Sequence, residues 1–270
     1  MIEATLTYFA EPGPTTNLSD YSNLIHELPS DPIVLARIVR GLLIHEGVVA
    51  QRGLQFSAER LEDRNRMGAS SILGRVVGLD PAPLESERPV QLRMIGYCYH
   101  FAILHCAFLR AKGVPARARC GFAAYFRDDA WIDHWVVEYW DGSDWVVIDP
   151  DAGRDVVSTN DFHHAGRAWA FCREGDGAPA RHGNHVLWGW DELRGSLVND
   201  IGALNKVEAG EWSWCDRIEV EHRDRPHATL DAYLDSLARL VSDGEFEELQ
   251  RAYRLDPGLH PPASRFRESL

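Results

Sequence analysis

Three residues of the sequence have types and positions suited to nucleophilic catalysis: Cys98, His134 and Asp149. Cys98 follows Gly96-Tyr97 at the start of an apolar segment that is predicted to be a helix. The helix dipole and the free N–H groups at that position favour a thiolate. A thiolate needs a histidine to exchange its proton and a carboxylate to fix the tautomer of that histidine. The sequence supplies both residue types.

The segment 134–149 reads as a β-hairpin with Asp141-Gly142 at its tip. Asp-Gly favours a two-residue type I′ turn, in which position 140 would pair with position 143. His134 would then lie directly opposite Asp149 on one face of the sheet. Side chains in such a pair have Cβ atoms about 4.5–5.5 Å apart, close enough for the carboxylate to hold the imidazole.

The elements around these residues follow from local signals. A buried helix is predicted from Cys98 to Lys112, because apolar residues surround it and Gly113 ends it. A second helix begins after the capping residue Asp31 and is expected to reach about His45. The N-terminal segment Ile2 to Phe9 reads as an edge strand, and residues 151–185 read as a long irregular segment. A tail helix carries one apolar face, formed by Leu230, Leu234, Leu237 and Val241.

The order of these motifs resembles the transglutaminase-like superfamily over residues 94–151. The motifs are Gly-x-Cys opening a helix, Leu-Arg-Ala-Lys-Gly-Val-Pro-Ala-Arg, a strand bearing a histidine, and Trp-x-x-x-Asp-Pro. The resemblance implies that Cys98 is the nucleophile, His134 the general base and Asp149 the orienting acid. It also implies a papain-like core in which the nucleophile helix packs on an antiparallel sheet. One departure is that Trp135 follows His134 at once, where the family usually has a small residue before an aromatic one.

We therefore expect an α+β fold in one domain, residues 1–270, with a transglutaminase-like core at about 30–165. An N-terminal strand and connector (1–30) and a C-terminal helical extension (about 185–270) would flank it. Trp135, Gln91 and Trp145 are candidate substrate-binding residues. The backbone N–H of Cys98 is one candidate oxyanion donor, and an indole N–H or the Gln91 amide could be the second.

The expected function is cysteine-dependent acyl transfer or amide hydrolysis through a thioester on Cys98. The acyl donor would be a peptide, an acyl carrier or a small molecule. Two alternatives remain open: a peptidase or deamidase in which water is the sole acceptor, and a non-catalytic binding module that keeps the fold. No cofactor is implied.

Composition excludes several other classes of protein. The chain has 270 residues and a net charge of −13, which argues against a nucleic-acid partner. No apolar run reaches the roughly 18 residues of a membrane span, so no membrane association and a cytoplasmic location are expected. Five scattered cysteines without a CxxC pair indicate neither a disulfide framework nor a structural zinc cluster. The histidines at 163, 164, 182 and 185 are expected to be solvated rather than metal ligands.

The charge is unevenly distributed along the chain. Residues 37–119 hold 13 basic and 7 acidic side chains, a local charge of +6. Either two parts of one fold attract each other, or a positive rim favours an anionic substrate.

Overall fold

The structure is a computed structural model that describes residues 2–210, 228–244 and 246–261. Its helices are α1 (Ile2–Ala10), α2 (Ser22–His26), α3 (Pro32–Leu42), α4 (Glu46–Gln51), α5 (Ala58–Leu61), α6 (Ala69–Leu79), α7 (Cys98–Ala111), α8 (Ala165–Arg173), α9 (Trp190–Leu204), α10 (Ala228–Asp243) and α11 (Phe246–Leu255). The strands are β1 (Leu43–His45), β2 (Met94–Gly96), β3 (Ala116–Arg127), β4 (Ala130–Trp140), β5 (Trp145–Ile148), β6 (Phe162–His164) and β7 (His182–Gly183). This mixture of helices with an antiparallel sheet confirms the predicted α+β class.

Contacts divide the described residues into two compact units. The first unit comprises the residues up to Ala118 together with Val136–Val157. The second comprises Arg119–Trp135 and the residues from Ser158 onwards. Strands β3 and β4 each begin in one unit and end in the other, so the two units share their longest strands. The single domain expected from the sequence stays a prediction.

Helix α7 is the centre of the first unit. It packs against α3 and α6, and also against α1 and α2. Every residue from Cys98 to Arg110 is buried. This burial on all sides confirms the prediction made from its apolar composition.

The sheet places β4 between β5 and β3, with β6 on the far side of β3 and β7 beside β4. In the first unit, β4 and β5 are antiparallel with Val137 opposite Ile148 and Trp140 opposite Trp145. In the second unit, β6 runs antiparallel to β3. The short strands β1 and β2 form a separate parallel pair in the first unit, in which His45 lies opposite Gly96.

The helices of the second unit pack on one another beside the sheet strands of that unit. Helix α8 contacts both α9 and α10, and α10 contacts α11. The apolar face predicted for the tail helix is buried at Leu230, Leu234, Leu237 and Val241 in α10, which confirms that prediction. The remainder of the predicted C-terminal extension, residues 211–227 and 262–270, lies outside the described residues.

Three local predictions were wrong. Residues 2–10 form helix α1 rather than an edge strand: the segment buries Phe9, whose ring packs edge-on against Trp145, and this tertiary contact outweighs strand propensity. Helix α3 ends at Leu42, because residues 43–45 pair with β2. Residues 151–185 are not irregular throughout, since they contain β6, α8 and β7.

Candidate active site

Cys98 is the first residue of α7, as predicted, and its side chain is buried. The N–H of Tyr97, just before the helix, donates to Nδ1 of His100 at 3.0 Å. A Cβ atom added to Gly96 would lie 2.9 Å from Cβ and Cγ of His100. The glycine of the Gly-x-Cys motif therefore leaves room for the imidazole that caps this helix start.

His100 is a neutral capping residue and not a base at neutral pH. Burial lowers its pKa to about 4, and the nearby His45 ring acts in the same direction. Because Nδ1 accepts the Tyr97 N–H, the proton of the neutral ring belongs on Nε2. The imidazole therefore fixes the backbone beside Cys98 through an accepted hydrogen bond.

Asp149 is fully buried and is held by its own turn. Its Oδ1 accepts the backbone N–H groups of Asp151 and Ala152, both at 2.9 Å. Its backbone is also paired with Arg154, with N–H donors in both directions. Gly153 within this turn has φ +75°, a left-handed conformation that glycine adopts without strain. The turn fixes the orientation of the carboxylate.

His45 is a second histidine beside the start of α7, and the sequence analysis did not place it there. The pair His45-Glu46 begins like a zinc-protease motif, but position 49 is Val where that motif needs His. In the structure its Nε2 lies 3.7 Å from Oδ2 of Asp151, in the turn that holds Asp149. Its place opposite Gly96 depends on the parallel pairing of β1 with β2, which joins positions 51 residues apart, so no local signal could have found it.

His134 lies on β4 in the second unit and is buried. The ring of Phe126 packs edge-on against it with centroids 4.8 Å apart, and the ring of Tyr125 lies 6.1 Å away. Phe126 is itself 44% exposed. These two aromatic neighbours, from the end of β3, were also missed by the sequence analysis.

The predicted hairpin register is wrong by two residues. Trp140 pairs with Trp145, so the loop spans residues 141–144 rather than two residues. The cause is the Asp141 side chain, whose Oδ1 accepts the N–H groups of Ser143 and Asp144, both at 2.8 Å, in an Asx turn. Continued by one pair, the observed register places Val136, and not His134, opposite Asp149. A shift of two residues preserves which side chains share a face.

Cys98 and Asp149 thus belong to the first unit and His134 to the second. The triad of these three residues stays a prediction. What the structure defines is the local setting of each member: a capped helix start, a closed Asx turn, and an aromatic-flanked strand position.

The three predicted substrate-binding residues have different environments. Trp135 is fully buried in the second unit. Gln91 is exposed, and its backbone carbonyl accepts a hydrogen bond from Arg60. Trp145 packs under the guanidinium of Arg117, whose Cζ lies 4.1 Å from the ring centroid. Their role in binding stays a prediction.

The loop histidines are not all solvated, contrary to expectation. His163 and His182 are buried, and the ring of each stacks with the ring of Trp131, at centroid distances of 4.2 and 5.8 Å. Burial lowers the pKa of His163 to about 4. It raises the pKa of the Cys172 thiol, whose Sγ lies 3.6 Å from Nδ1 of His182, to about 12, so His163 and Cys172 are both neutral at pH 7. Across residues 2–210, 228–244 and 246–261, no group of three or more His, Cys, Asp or Glu side chains could hold a metal ion.

Comparisons with known proteins agree with the resemblance seen in the motifs. Residues 80–150 match the model of the transglutaminase-like superfamily. A solved structure described as a "Putative Cysteine Protease from Cytophaga hutchinsonii" is 15% identical, with a TM-score of 0.37. That similarity covers 58% of this chain, which spans 44% of the length of the solved structure. No curated protein matches the chain.

None of the helices in the described part of the chain is long and apolar enough to cross a membrane.

Proposed function

We propose that the protein is a cysteine-dependent acyl-transfer enzyme in which Cys98 forms a thioester with the acyl group of its substrate. The observation that carries this proposal is the position of Cys98, which opens the buried helix α7 inside the segment that matches the transglutaminase-like family. That family match supports cysteine-dependent catalysis in general. The donor is an amide or thioester on a peptide, an acyl carrier or a small molecule.

In the proposed reaction the Cys98 thiolate attacks the carbonyl carbon, and the carbonyl electrons move to oxygen. The backbone N–H of Cys98, at the positive end of the α7 dipole, is one donor suited to that oxyanion. Collapse of the intermediate breaks the bond to the leaving group, which takes a proton from His134. Water or an amine then attacks the thioester carbonyl and transfers a proton to His134. The bond from the acyl carbon to sulfur breaks, which releases the product and restores the Cys98 thiolate.

In this scheme Asp149 orients the imidazole of His134. Its Oδ1 is occupied by two N–H groups of its own turn, so the carboxylate keeps one orientation throughout the cycle. A carboxylate held in this way stabilises the imidazolium that forms on His134. We assign Asp149 this role from its buried, closed turn, and the reactivity of Cys98 in Asp149→Asn tests the pairing with His134.

Site-resolved alkylation from pH 5 to 9 tests the proposal without a known substrate. Iodoacetamide labelling of each cysteine is followed by mass spectrometry on wild type and on His134→Ala. We expect Cys98 to react rapidly below pH 7 and to lose that advantage in His134→Ala, since the ion pair with histidine maintains the thiolate. The buried Cys106 and Cys120 serve as internal references.

His45→Ala is the matched control, because His45 is the histidine that lies opposite Gly96 in the same unit as Cys98. We expect this variant to leave the pH profile of Cys98 unchanged. A Cys98 that titrates like an ordinary thiol, with a pKa of about 8.5, would contradict the proposal and favour a binding module. Loss of reactivity in His45→Ala rather than His134→Ala would contradict the assignment of His134.

A further inference from the structure

The first unit contains a cleft of about 560 Å³ between α3 and the segment that leads into β2. A cleft of this volume falls in the range of small-molecule sites. Its walls combine three arginines and two glutamates with a small apolar face: Val34, Arg37, Ile38, Arg40, Gly41, Glu85, Glu87 and Arg93. Of the members of the predicted triad, none lines it.

Two of the three arginines already have anionic partners. Arg37 donates to Asp155 at 2.9 Å, in an ion pair with both side chains partly exposed. Arg93 is paired with Glu87 and also donates to the backbone carbonyls of Arg88 and Arg40. Their charges are therefore offset within the walls of the cleft or at its edge.

Arg40 differs from both. Its Nη1 is buried and has no hydrogen-bond partner among the residues that the structure describes. A buried donor on a charged group that lacks an acceptor is costly, and more so than a neutral one. The guanidinium lies beside the turn that holds Asp149, since a Cβ atom added to Gly153 would be 3.3 Å from its Cζ. Nη1 lies on the side of that turn, 3.4 Å from the same Cβ position, and is not open to the cleft. What Arg40 offers to the cleft is a guanidinium that forms no ion pair with any residue in the described ranges.

We propose that this cleft binds a carboxylate on a short aliphatic chain, with the Arg40 guanidinium as its partner. A guanidinium matches the planar geometry of a carboxylate through paired N–H donors. A monoanion fits better than a dianion, because the one guanidinium of Arg40 balances a single negative charge. Glu85 and Glu87 in the walls of the cleft would repel a second negative charge. Val34, which is 37% exposed, and Ile38 provide the apolar surface for the chain.

Binding to the intact protein tests this inference independently of any acyl chemistry. Butyrate is titrated at constant ionic strength while the backbone amide resonances of Gly41 and Gly153 are followed. We expect saturable shifts of both resonances, at least tenfold weaker binding of the neutral isostere butyramide, and weaker binding of propylphosphonate. Equal affinity for butyrate and butyramide, or no saturable shift with butyrate, would overturn the proposal.

Arginine variants locate the charge that is responsible. Arg40→Gln should weaken butyrate binding at least tenfold, whereas Arg37→Gln, which removes the arginine already paired with Asp155, should change it by less than twofold. Equal losses in the two variants would show a diffuse field rather than a site at Arg40. If Arg40→Gln does not fold, the comparison of butyrate with butyramide on the wild-type protein decides. The alkylation profile of Cys98 is a separate measurement, so failure of this inference leaves the proposed function untouched.

Discussion

At the scale of single residues, Gly96 shows how sterics support the chemistry of its neighbour. Gly96→Ala would place a Cβ atom 2.9 Å from the His100 ring, which caps the start of α7. We expect a loss of about 1–3 kcal/mol in the free energy of unfolding, since the ring has to move. Gly78→Ala is the matched control: nothing lies within 4 Å of its added Cβ in α6, so the helix should gain about 0.5–1 kcal/mol. Urea unfolding measures both, and equal effects in the two variants would contradict the steric argument.

Asp149 allows its structural role to be separated from its proposed catalytic one. The amide oxygen of Asp149→Asn can still accept the N–H groups of Asp151 and Ala152, whereas Asp149→Ala cannot. We expect Asp149→Ala to lose about 2–3 kcal/mol of stability and Asp149→Asn much less. If the carboxylate orients His134, both variants lose the fast alkylation of Cys98 below pH 7. Wild-type reactivity of Cys98 in Asp149→Asn would show that the role of Asp149 is to stabilise its turn and not to orient His134.

At the scale of elements, a buried ion pair joins β3 to α9 within the second unit. The Arg119 guanidinium donates to both oxygens of Asp200, at 2.8 and 2.9 Å, and neither side chain is accessible to solvent. Asp200→Ala would remove both of these hydrogen bonds and the counter-charge of Asp200 from a buried guanidinium, and we expect it to cost about 3–5 kcal/mol. The exposed pair Arg127–Asp129 is the control, and Asp129→Ala should leave the urea midpoint unchanged. A small effect at Asp200 would mean that water or another group reaches Arg119.

The elements that could be predicted from the sequence are those set by local signals. Asp31 accepts the N–H groups of Ile33 and Val34, so the start of α3 could be predicted from the capping residue alone. The full burial of α7 followed from its composition. The hairpin register did not, because Asp-Gly is shared by the two-residue turn and by the Asx turn that Asp141 forms with Ser143 and Asp144. Likewise, the place of His45 depends on a parallel pairing between distant segments.

The candidate site was predictable by residue type and less so by geometry. The motifs around Cys98 identified the start of the helix, and the family match agrees with them. They could not show that His100 caps that start or that Phe126 packs on His134, because both contacts arise only once side chains are placed in three dimensions. Local pattern therefore indicates where chemistry is possible, and tertiary packing decides what surrounds it.

At the scale of the whole molecule, the stability of the fold should depend on pH through α7. His100 and His105 are both completely buried, and burial lowers the pKa of each to about 4; Arg40 acts on His105 in the same direction. Between pH 6.5 and 4 the unfolded chain binds protons at these positions and the folded chain does not, so stability falls as pH is lowered through this window. From pH 7 to pH 5 we expect a loss of about 2 kcal/mol for each histidine.

Urea unfolding at pH 7, 6 and 5 measures this loss, and His105→Gln identifies its source. An amide at position 105 does not titrate and can still reach the Pro32 carbonyl that His105 Nε2 contacts at 2.9 Å, so the loss between pH 7 and pH 5 should become smaller by about 2 kcal/mol. Net charge works in the other direction, because a chain of charge −13 loses repulsion as pH falls and should become more stable. Because that repulsion is nearly the same in the wild type and in His105→Gln, the difference between the two isolates the histidine. Equal losses of stability in both proteins from pH 7 to pH 5 would show that His105 accepts a proton in the folded state.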